Sequence, residues 1–401
     1  MLNKILLKLE DPNRPLLGPN VKALKFWGFL LPRNLFMKYF YIINNFSVFV
    51  FTATEYIDIW FVKSDINLLL NNVKITITST VSIFKMATFM LWQNRWIKTI
   101  DYITAADIEQ RETDDLSNIE IIRRYTNYCR KITYFYWILM YTTAVTVVVQ
   151  PIIKYITSSV YRENVKVGNE TYLQVISSWV PFDKNTIQGY FAASVFQSYG
   201  ALNGSAWITT FDSSAIVFMV FFKGSLELLH NDSAKIFGTE ANPVSDAEAK
   251  RRLLKCHRQH VLLTEHARLF NECLSPIMFL YMLVCSVTLC ISAYQITIET
   301  SASQRFLTAE YLVFGVAQLF MYCWHGNDVL YASTCLMDGP YKSMWWSRTA
   351  KFQKDCLILT ALFSKKITFT AGPFSKLTVP CFINILKGAY SYYTLLSQSQ
   401  I

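Results

Sequence analysis

Seven stretches of this chain are apolar for long enough to cross a lipid bilayer as α-helices, and that succession constrains the fold more than any motif does. About 20 apolar residues span the hydrocarbon core, where each backbone N–H and C=O must find its partner within the segment. The stretches lie at residues 35–60, 66–91, 132–153, 188–222, 274–298, 306–331 and 377–396. The third is expected to end at Pro151, and the fourth is long enough to tilt or to run on beyond the membrane. Composition agrees, with 52% hydrophobic and 16% charged residues, against about 25% charged in ordinary soluble domains. The expected fold class is an all-α integral membrane protein of seven transmembrane helices.

Charge distribution orients the bundle. Residues 1–38, 92–131, 223–273 and 335–366 together hold 28 Lys and Arg, whereas Lys63, the segment 154–187 and Arg305 supply six. Basic residues stay on the cytoplasmic side of a membrane, so the N-terminus is expected in the cytoplasm and, after seven crossings, the C-terminus outside. That is opposite to a G-protein-coupled receptor, and the Asp-Arg-Tyr-like and Asn-Pro-x-x-Tyr motifs of that class are missing. The net charge of +10 forms no basic face interleaved with aromatics, so no nucleic acid is expected as a partner. The start, charged and broken by Pro12, Pro15 and Pro19, does not read as a cleavable leader, and the first span is expected to act as the signal. Asn169-Glu170-Thr171 is a glycosylation sequon in the longest expected outer loop, so Asn169 is the candidate acceptor; Asn231-Asp232-Ser233 has the same pattern on the inner side. The nine cysteines fall outside the expected extracellular segments and show no metal-ligand spacing, so neither a structural disulfide nor a metal site is expected.

The inner loops are more than linkers. Between Asp246 and Asn271, Leu253, Leu254, Val261, Leu262, Leu269 and Phe270 recur near helical spacing among charges. The fourth and fifth helices are therefore expected to continue below the membrane and to pack there with the segment around Phe352 to Phe363, as a platform suited to assembly or as a plain helical loop. The organisation that follows is a cytoplasmic N-terminus (1–34), six spans with their extensions and an outer-half pocket (35–331), a cytoplasmic anchor segment (332–372) and a final helix (373–401).

No catalytic constellation is present: there is no phosphate loop, dinucleotide fingerprint or HExxH motif, and four of the five histidines lie in one basic loop. No enzyme activity or cofactor is expected. The final helix is more informative. At 100° per residue, Asn384, Lys387, Gly388, Ser391, Thr394, Leu395 and Gln398 fall on one stripe, opposite Phe382, Ile385, Leu386, Ala389, Tyr393 and Leu396. Polar groups facing lipid cost free energy, so the stripe faces either a pore, with Leu395 as hydrophobic constriction and Gln398 at the outer mouth, or a helix–helix contact. Lys74 and Lys85 lie eleven residues apart on one side of the second helix, and Asp212 lies in the fourth. Snorkelling to the outer and inner water respectively is expected for the two lysines. Tyr141, Phe196, Tyr199, Tyr311 and Phe314 lie deep in the outer halves, fit either for helix packing or for a mostly apolar pocket.

The run Gln318-Leu319-Phe320-Met321-Tyr322-Cys323-Trp324-His325-Gly326-Asn327, then Tyr341 and Trp345, Ala371-Gly372-Pro373-Phe374, and Ile385 through Leu396 resemble the C-terminal signature of insect odorant receptors. The resemblance implies the odour-tuned subunit of a tetrameric, non-selective cation channel, assembled with the family's shared co-receptor in the plasma membrane of olfactory sensory neurons. It implies subunits that meet through the cytoplasmic anchor platform, with the last helix of each lining the pore. By position, Leu395 corresponds to the hydrophobic gate and Gln398 to the polar ring beside it; Ser399 stands where the co-receptor has an apolar gate residue. A pocket for a small hydrophobic odorant is implied near Thr78, Tyr141, Val145, Val148, Tyr199, Asn203, Tyr311 and Phe314. The related gustatory receptors are the alternative, but Ser391 and Ser399 depart from the Thr-Tyr and Gln-Phe of their last helix.

Overall fold

The computed structural model describes residues 10–64, 66–238, 243–299 and 302–398. A short helix, α1 (Gly18–Phe26), precedes two long ones, α2 (Leu35–Val62) and α3 (Ile66–Leu91). At Trp92 the chain bends by 80° into α4 (Gln93–Arg111). Then come α5 (Leu116–Thr157), α6 (Ser159–Val167), α7 (Ile187–Ala234), α8 (Asp246–Ile298) and α9 (Ala302–Cys335). After α10 (Asp338–Lys342) and α11 (Ala350–Phe363), a two-strand hairpin, β1 (Thr370–Ala371) and β2 (Ser375–Lys376), leads into α12 (Val379–Gln398).

Polar side chains start several of these helices by satisfying the free N–H groups of the first turn. Asn34 Oδ1 accepts from Phe36 N at 3.0 Å, Asp115 Oδ1 from Ser117 N at 3.0 Å, and Thr186 Oγ1 from Gly189 N at 3.1 Å. Proline does not end α5: Pro151 lies inside a helix that runs on to Thr157, six residues past the expected stop. A proline removes one hydrogen bond and can bend a helix without breaking it.

Burial identifies the solvent that the bundle is built for. In α2 the exposed face carries Phe36, Phe40, Phe46 and Trp60, while Asn45, Thr52, Glu55 and Asp58 are buried. Water would drive the opposite arrangement; a hydrocarbon surround requires this one. Among the described residues, five helices are long and apolar enough to cross a membrane, and the bent pair of α3 and α4 makes up to six. The expected seventh, α12, is a 20-residue helix whose polar stripe, including Lys387, keeps it out of that apolar set.

At the centre stands α7, buried on all sides from Thr209 to Phe222. Thr209, Thr210, Asp212, Ser213 and Ser214 in this run would be unfavourable against hydrocarbon, which suits it to the middle of a bundle. The extensions of α5, α7 and α8 pass beyond the apolar spans and pack with α4, α10 and α11 as a platform. Its core is aromatic: Trp96 stacks on Phe89 (4.6 Å) and meets Phe211 edge-on (5.7 Å), while Phe270 contacts Phe218, Phe222 and Phe369 at 5.2–5.9 Å. Phe237 meets Phe352 at 5.9 Å, and His260 lies 4.8 Å from Phe363, so α11 docks on the extensions of α7 and α8.

The hairpin anchors the return to α12. Gly372 N donates to Ser275 O at 3.0 Å, beside Pro276 of α8, and Thr370 N donates to Asn271 Oδ1 at 2.8 Å. Gly372 adopts φ +63°, and a Cβ there would meet Phe279 at 2.8 Å. Gly326 serves the same junction, since a Cβ would lie 2.5 Å from Leu377 O. These two glycines account for part of the signature around residues 324–327 and 371–374.

His260, buried in the platform, is pushed down to about 4 from 6.5, first by burial and then by His257 and Lys365. The unfolded imidazole takes up a proton before the folded one does, so stability is full above about 6.5 and is lost as pH falls toward 4. His260→Gln should flatten the thermal-unfolding midpoint of the purified protein across that window; an unchanged pH profile would refute the assignment.

A candidate ligand cavity and an uncovered helix face

A cavity of about 280 Å³ opens among α3, α5, α7, α8 and α9, at the small end of the ~300–1,000 Å³ typical of small-molecule sites. Its apolar wall comes from Val147, Ile208, Val284, Leu289, Leu307 and Phe314. Polar groups interrupt it at Lys74, Thr78, Lys85, Glu310, Tyr311 and Gln318.

One wall is a buried ion pair. Lys85 Nζ lies 2.5 Å from Asp212 Oδ1, with side chains 1% and 0% exposed. Tyr322 OH donates to the same oxygen at 2.5 Å, Tyr136 OH to Oδ2 at 3.0 Å, and Gln318 Nε2 also donates to Oδ2. The carboxylate thus joins α3, α5, α7 and α9. Lys85 does not snorkel, because its counter-charge is supplied inside the bundle. Lys74 does not snorkel either: it is 3% exposed and donates to Gln295 Oε1 at 2.9 Å.

The segment 168–186 closes the cavity at the end remote from the platform. Asp58 Oδ2 accepts from Ser177 Oγ at 2.5 Å and from Asn72 Nδ2 at 3.0 Å, while Lys184 pairs with Asp58 Oδ1 at 3.4 Å. Gln197 Oε1 accepts from Val175 N at 3.1 Å. Val175 and Ile176 of this segment reach the cavity. At the start of this segment Asn169 is exposed beyond α6, whereas Asn231 donates to Ser117 and Asn118 at 2.7 Å and is held in the platform.

Of the ligand candidates read from the sequence, the cavity brings together Thr78, Tyr311 and Phe314. The other five lie off its wall. Tyr199 OH bonds Ser47 Oγ at 2.6 Å and Asn44 Oδ1 at 2.7 Å, and Asn203 Oδ1 accepts from Asn44 Nδ2 at 3.5 Å, so both fasten α7 to α2. Tyr141 turns toward Trp27, Val145 is 52% exposed on the outer surface of α5, and Val148 is half-buried. Missed from the sequence were the contribution of α8, through Tyr281, Val284, Thr288 and Leu289, and that of the segment 168–186. The isolated intramembrane charges were the usable signal for the rest, since Lys74, Lys85 and Asp212 surround or support the same space.

The final helix packs one face only. Ala389 is buried and Phe382, Ile385, Leu386 and Tyr393 are half-buried, against α8 and α9. Asn384, Lys387, Ser391, Leu395 and Gln398 are exposed, Leu395 to 63%. Gly388 has open space where a Cβ would sit. Ser399 lies outside the described residues.

Removing one partner of a buried pair costs about 3–5 kcal/mol, whereas replacing both with apolar groups can be nearly neutral. Lys85→Met is therefore expected to lower the unfolding midpoint of the purified protein sharply, and the double variant Lys85→Met, Asp212→Asn, which removes the unpaired charge and keeps an acceptor for Tyr136, Gln318 and Tyr322, to recover part of the loss. Equal midpoints for the single variant and the parent would remove the pair from its structural role.

The family model described as 7tm Odorant receptor matches residues 65–390. The chain is 29% identical over 168 residues to Odorant receptor 22c of Drosophila melanogaster, covering 42% of this chain and 40% of that one. It is 26% identical over 129 residues to the Odorant receptor coreceptor of Aedes aegypti, covering 32% of this chain and 27% of that one. These alignments span less than half the length of either curated relative. The olfactory receptor OR5 of Machilis hrabei, solved in complex with eugenol, superposes with a TM-score of 0.80 at 15% identity, over 97% of this chain and 100% of that one, which establishes a common fold. With a family match over most of its length and helices able to span a bilayer, this chain belongs to the 7tm odorant receptor family and is a multi-pass membrane protein.

Proposed function

We propose that this chain is the ligand-tuned subunit of a cation channel that assembles, as a tetramer, with an odorant receptor co-receptor in the plasma membrane of olfactory sensory neurons. The observation that carries the reading is the one-sided packing of α12: its polar stripe is left uncovered by its own chain. In hydrocarbon that stripe is unfavourable, so it calls for a neighbouring subunit or an aqueous axis. The counts of Lys and Arg support a cytoplasmic N-terminus and platform and an outer C-terminus. In that orientation Asn169 faces the glycosylation machinery, and the cavity lies in the outer half.

A small hydrophobic odorant enters the cavity at Thr78, Tyr311 and Phe314 and stabilises the open arrangement through its higher affinity for that state. Movement at α9 passes to α12 through their shared face, where Phe320 meets Phe382 at 5.4 Å. Leu395 withdraws from the axis, and Ser391 and Gln398 line the path beside it. The other five residues named from the sequence act on the cavity from behind: Tyr199 and Asn203 by fixing α2 to α7, and Tyr141, Val145 and Val148 by setting α5.

The likeness to the co-receptor and to a receptor solved with eugenol supports the same reading. A gustatory-type channel differs from it in ligand and partner, and a metabotropic receptor in the side on which the C-terminus lies. Odorant-evoked current in excised patches, with co-receptor and without nucleotide, separates these readings; current that needs nucleotide would refute direct gating. Leu395→Ser should raise the unliganded current of the assembled complex severalfold. An unchanged resting current with normal surface labelling would take Leu395 out of the gate.

A further inference from the structure

Two lysines face the cavity from α3, and only one has its counter-charge built in. Lys85 is met by Asp212 at 2.5 Å. Lys74, 3% exposed, has neutral partners: Gln295 Oε1 at 2.9 Å and the Tyr311 ring, whose centroid lies 4.9 Å from Nζ. Among the described residues no carboxylate lies within ion-pair distance of it. The acids on the facing helices are engaged elsewhere, Glu310 of α9 accepting from Thr143 Oγ1 at 3.0 Å and Glu55 of α2 from Ser79 Oγ at 3.3 Å. Glu310 is only half-buried, so its charge needs no ligand.

An ammonium has three N–H donors. Gln295 takes one and the Tyr311 ring faces the cation, which leaves donor capacity turned to a cavity whose remaining wall is largely apolar. Thr78 offers none in competition, since its hydroxyl is shared between Lys74 O (2.9 Å) and Tyr311 OH. A buried cation short of acceptors is unfavourable, and an oxygen brought in by a ligand relieves it.

We infer that the cavity selects small molecules bearing one strong hydrogen-bond-accepting oxygen, a carboxylate or a carbonyl, on an apolar body, with that oxygen seated against Lys74 Nζ. The apolar body then lies along Phe314, Val284 and Leu289. This rests on the cavity being the odorant site proposed above.

The test uses the full chain with its co-receptor and a matched panel: a medium-chain carboxylic acid, the ketone and the methyl ester of the same skeleton, and the hydrocarbon. The parent should respond to the oxygenated members at lower concentration than to the hydrocarbon. Lys74→Met should raise their half-maximal concentrations about tenfold or more, the loss of one charge-assisted hydrogen bond, and leave the hydrocarbon unchanged. Lys74→Arg should retain the preference. Equal loss of all members at normal surface labelling, or no change in any, overturns the inference. Should Lys74→Met fail to reach the surface, Gln295→Leu takes its place: freeing the occupied donor should strengthen the oxygenated responses selectively, and an unaltered ratio overturns the inference. Ligand-induced thermal stabilisation of the purified chain keeps the two readings separate, because it reads the cavity without a current. Stabilisation by the oxygenated members over the hydrocarbon upholds the selectivity even where no channel opens, and equal stabilisation rejects it.

Discussion

Asp212 is a carboxylate held out of water, and the bundle is organised around keeping it satisfied. Burying an ion costs several kcal/mol even after relaxation, and that is recovered only when its lone pairs are occupied in good geometry. Here the occupants are Lys85, Tyr136, Gln318 and Tyr322, drawn from α3, α5 and α9, with Asp212 itself on the central α7. Apolar contacts tolerate a helix sliding or turning by a few degrees, because dispersion is non-directional. Four donors converging on two oxygens do not. The network therefore fixes the mutual register of four helices where the surrounding lipid offers little preference among alternative packings.

The same network forms part of the cavity wall. Gln318 and Lys85 touch the cavity and hold Asp212 at once. Gln318 and Tyr322 are one turn apart on α9, and Phe320 between them meets Phe382 of α12 on the other side of the helix. On the proposed reading, a ligand that shifted Gln318 would work against a directional bond on one face of α9, while the opposite face bears on the final helix. Coupling of this kind needs no long pathway. It needs a helix with a stiff contact on one side and a partner free to move on the other, and the exposed face of α12 leaves that partner uncovered within the chain.

The legible and illegible parts of the fold divide along physical lines. Helix positions followed from run length, so Ile66–Leu91 is found as expected and the other spans differ mainly in how far they continue. The overrun of α5 past Pro151 was not readable, since a proline's effect depends on whether neighbouring groups tolerate the lost bond. The stripe on α12 was readable because polar residues mark one side of an otherwise apolar helix. In α5 the apolar residues run around the circumference, so periodicity could not tell the exposed Val145 from the cavity-lining Val147. The direction of Tyr199 was not readable, because its hydroxyl partners, Asn44 and Ser47, lie more than 150 positions away. Lys74 and Lys85 were placed on one face correctly. Their fates differ through Asp212 and Gln295, which only the tertiary fold brings near.

Lys387 extends the argument from one chain to an assembly. It lies exposed on the same face of α12 as Ser391 and Leu395. Were four identical chains to close around an axis, each ammonium would face like charges in a narrow, poorly screened space, which opposes both the assembly and the entry of cations. With one or two such chains among partners that lack the charge, the repulsion is relieved and the pore stays permissive. On the proposed reading the polar stripe meets neighbouring subunits, and the lysine within it favours neighbours that are not all copies of this chain. Both follow from the cost of charge in a low dielectric, the same cost that the Lys85–Asp212 pair meets inside the bundle by internal pairing.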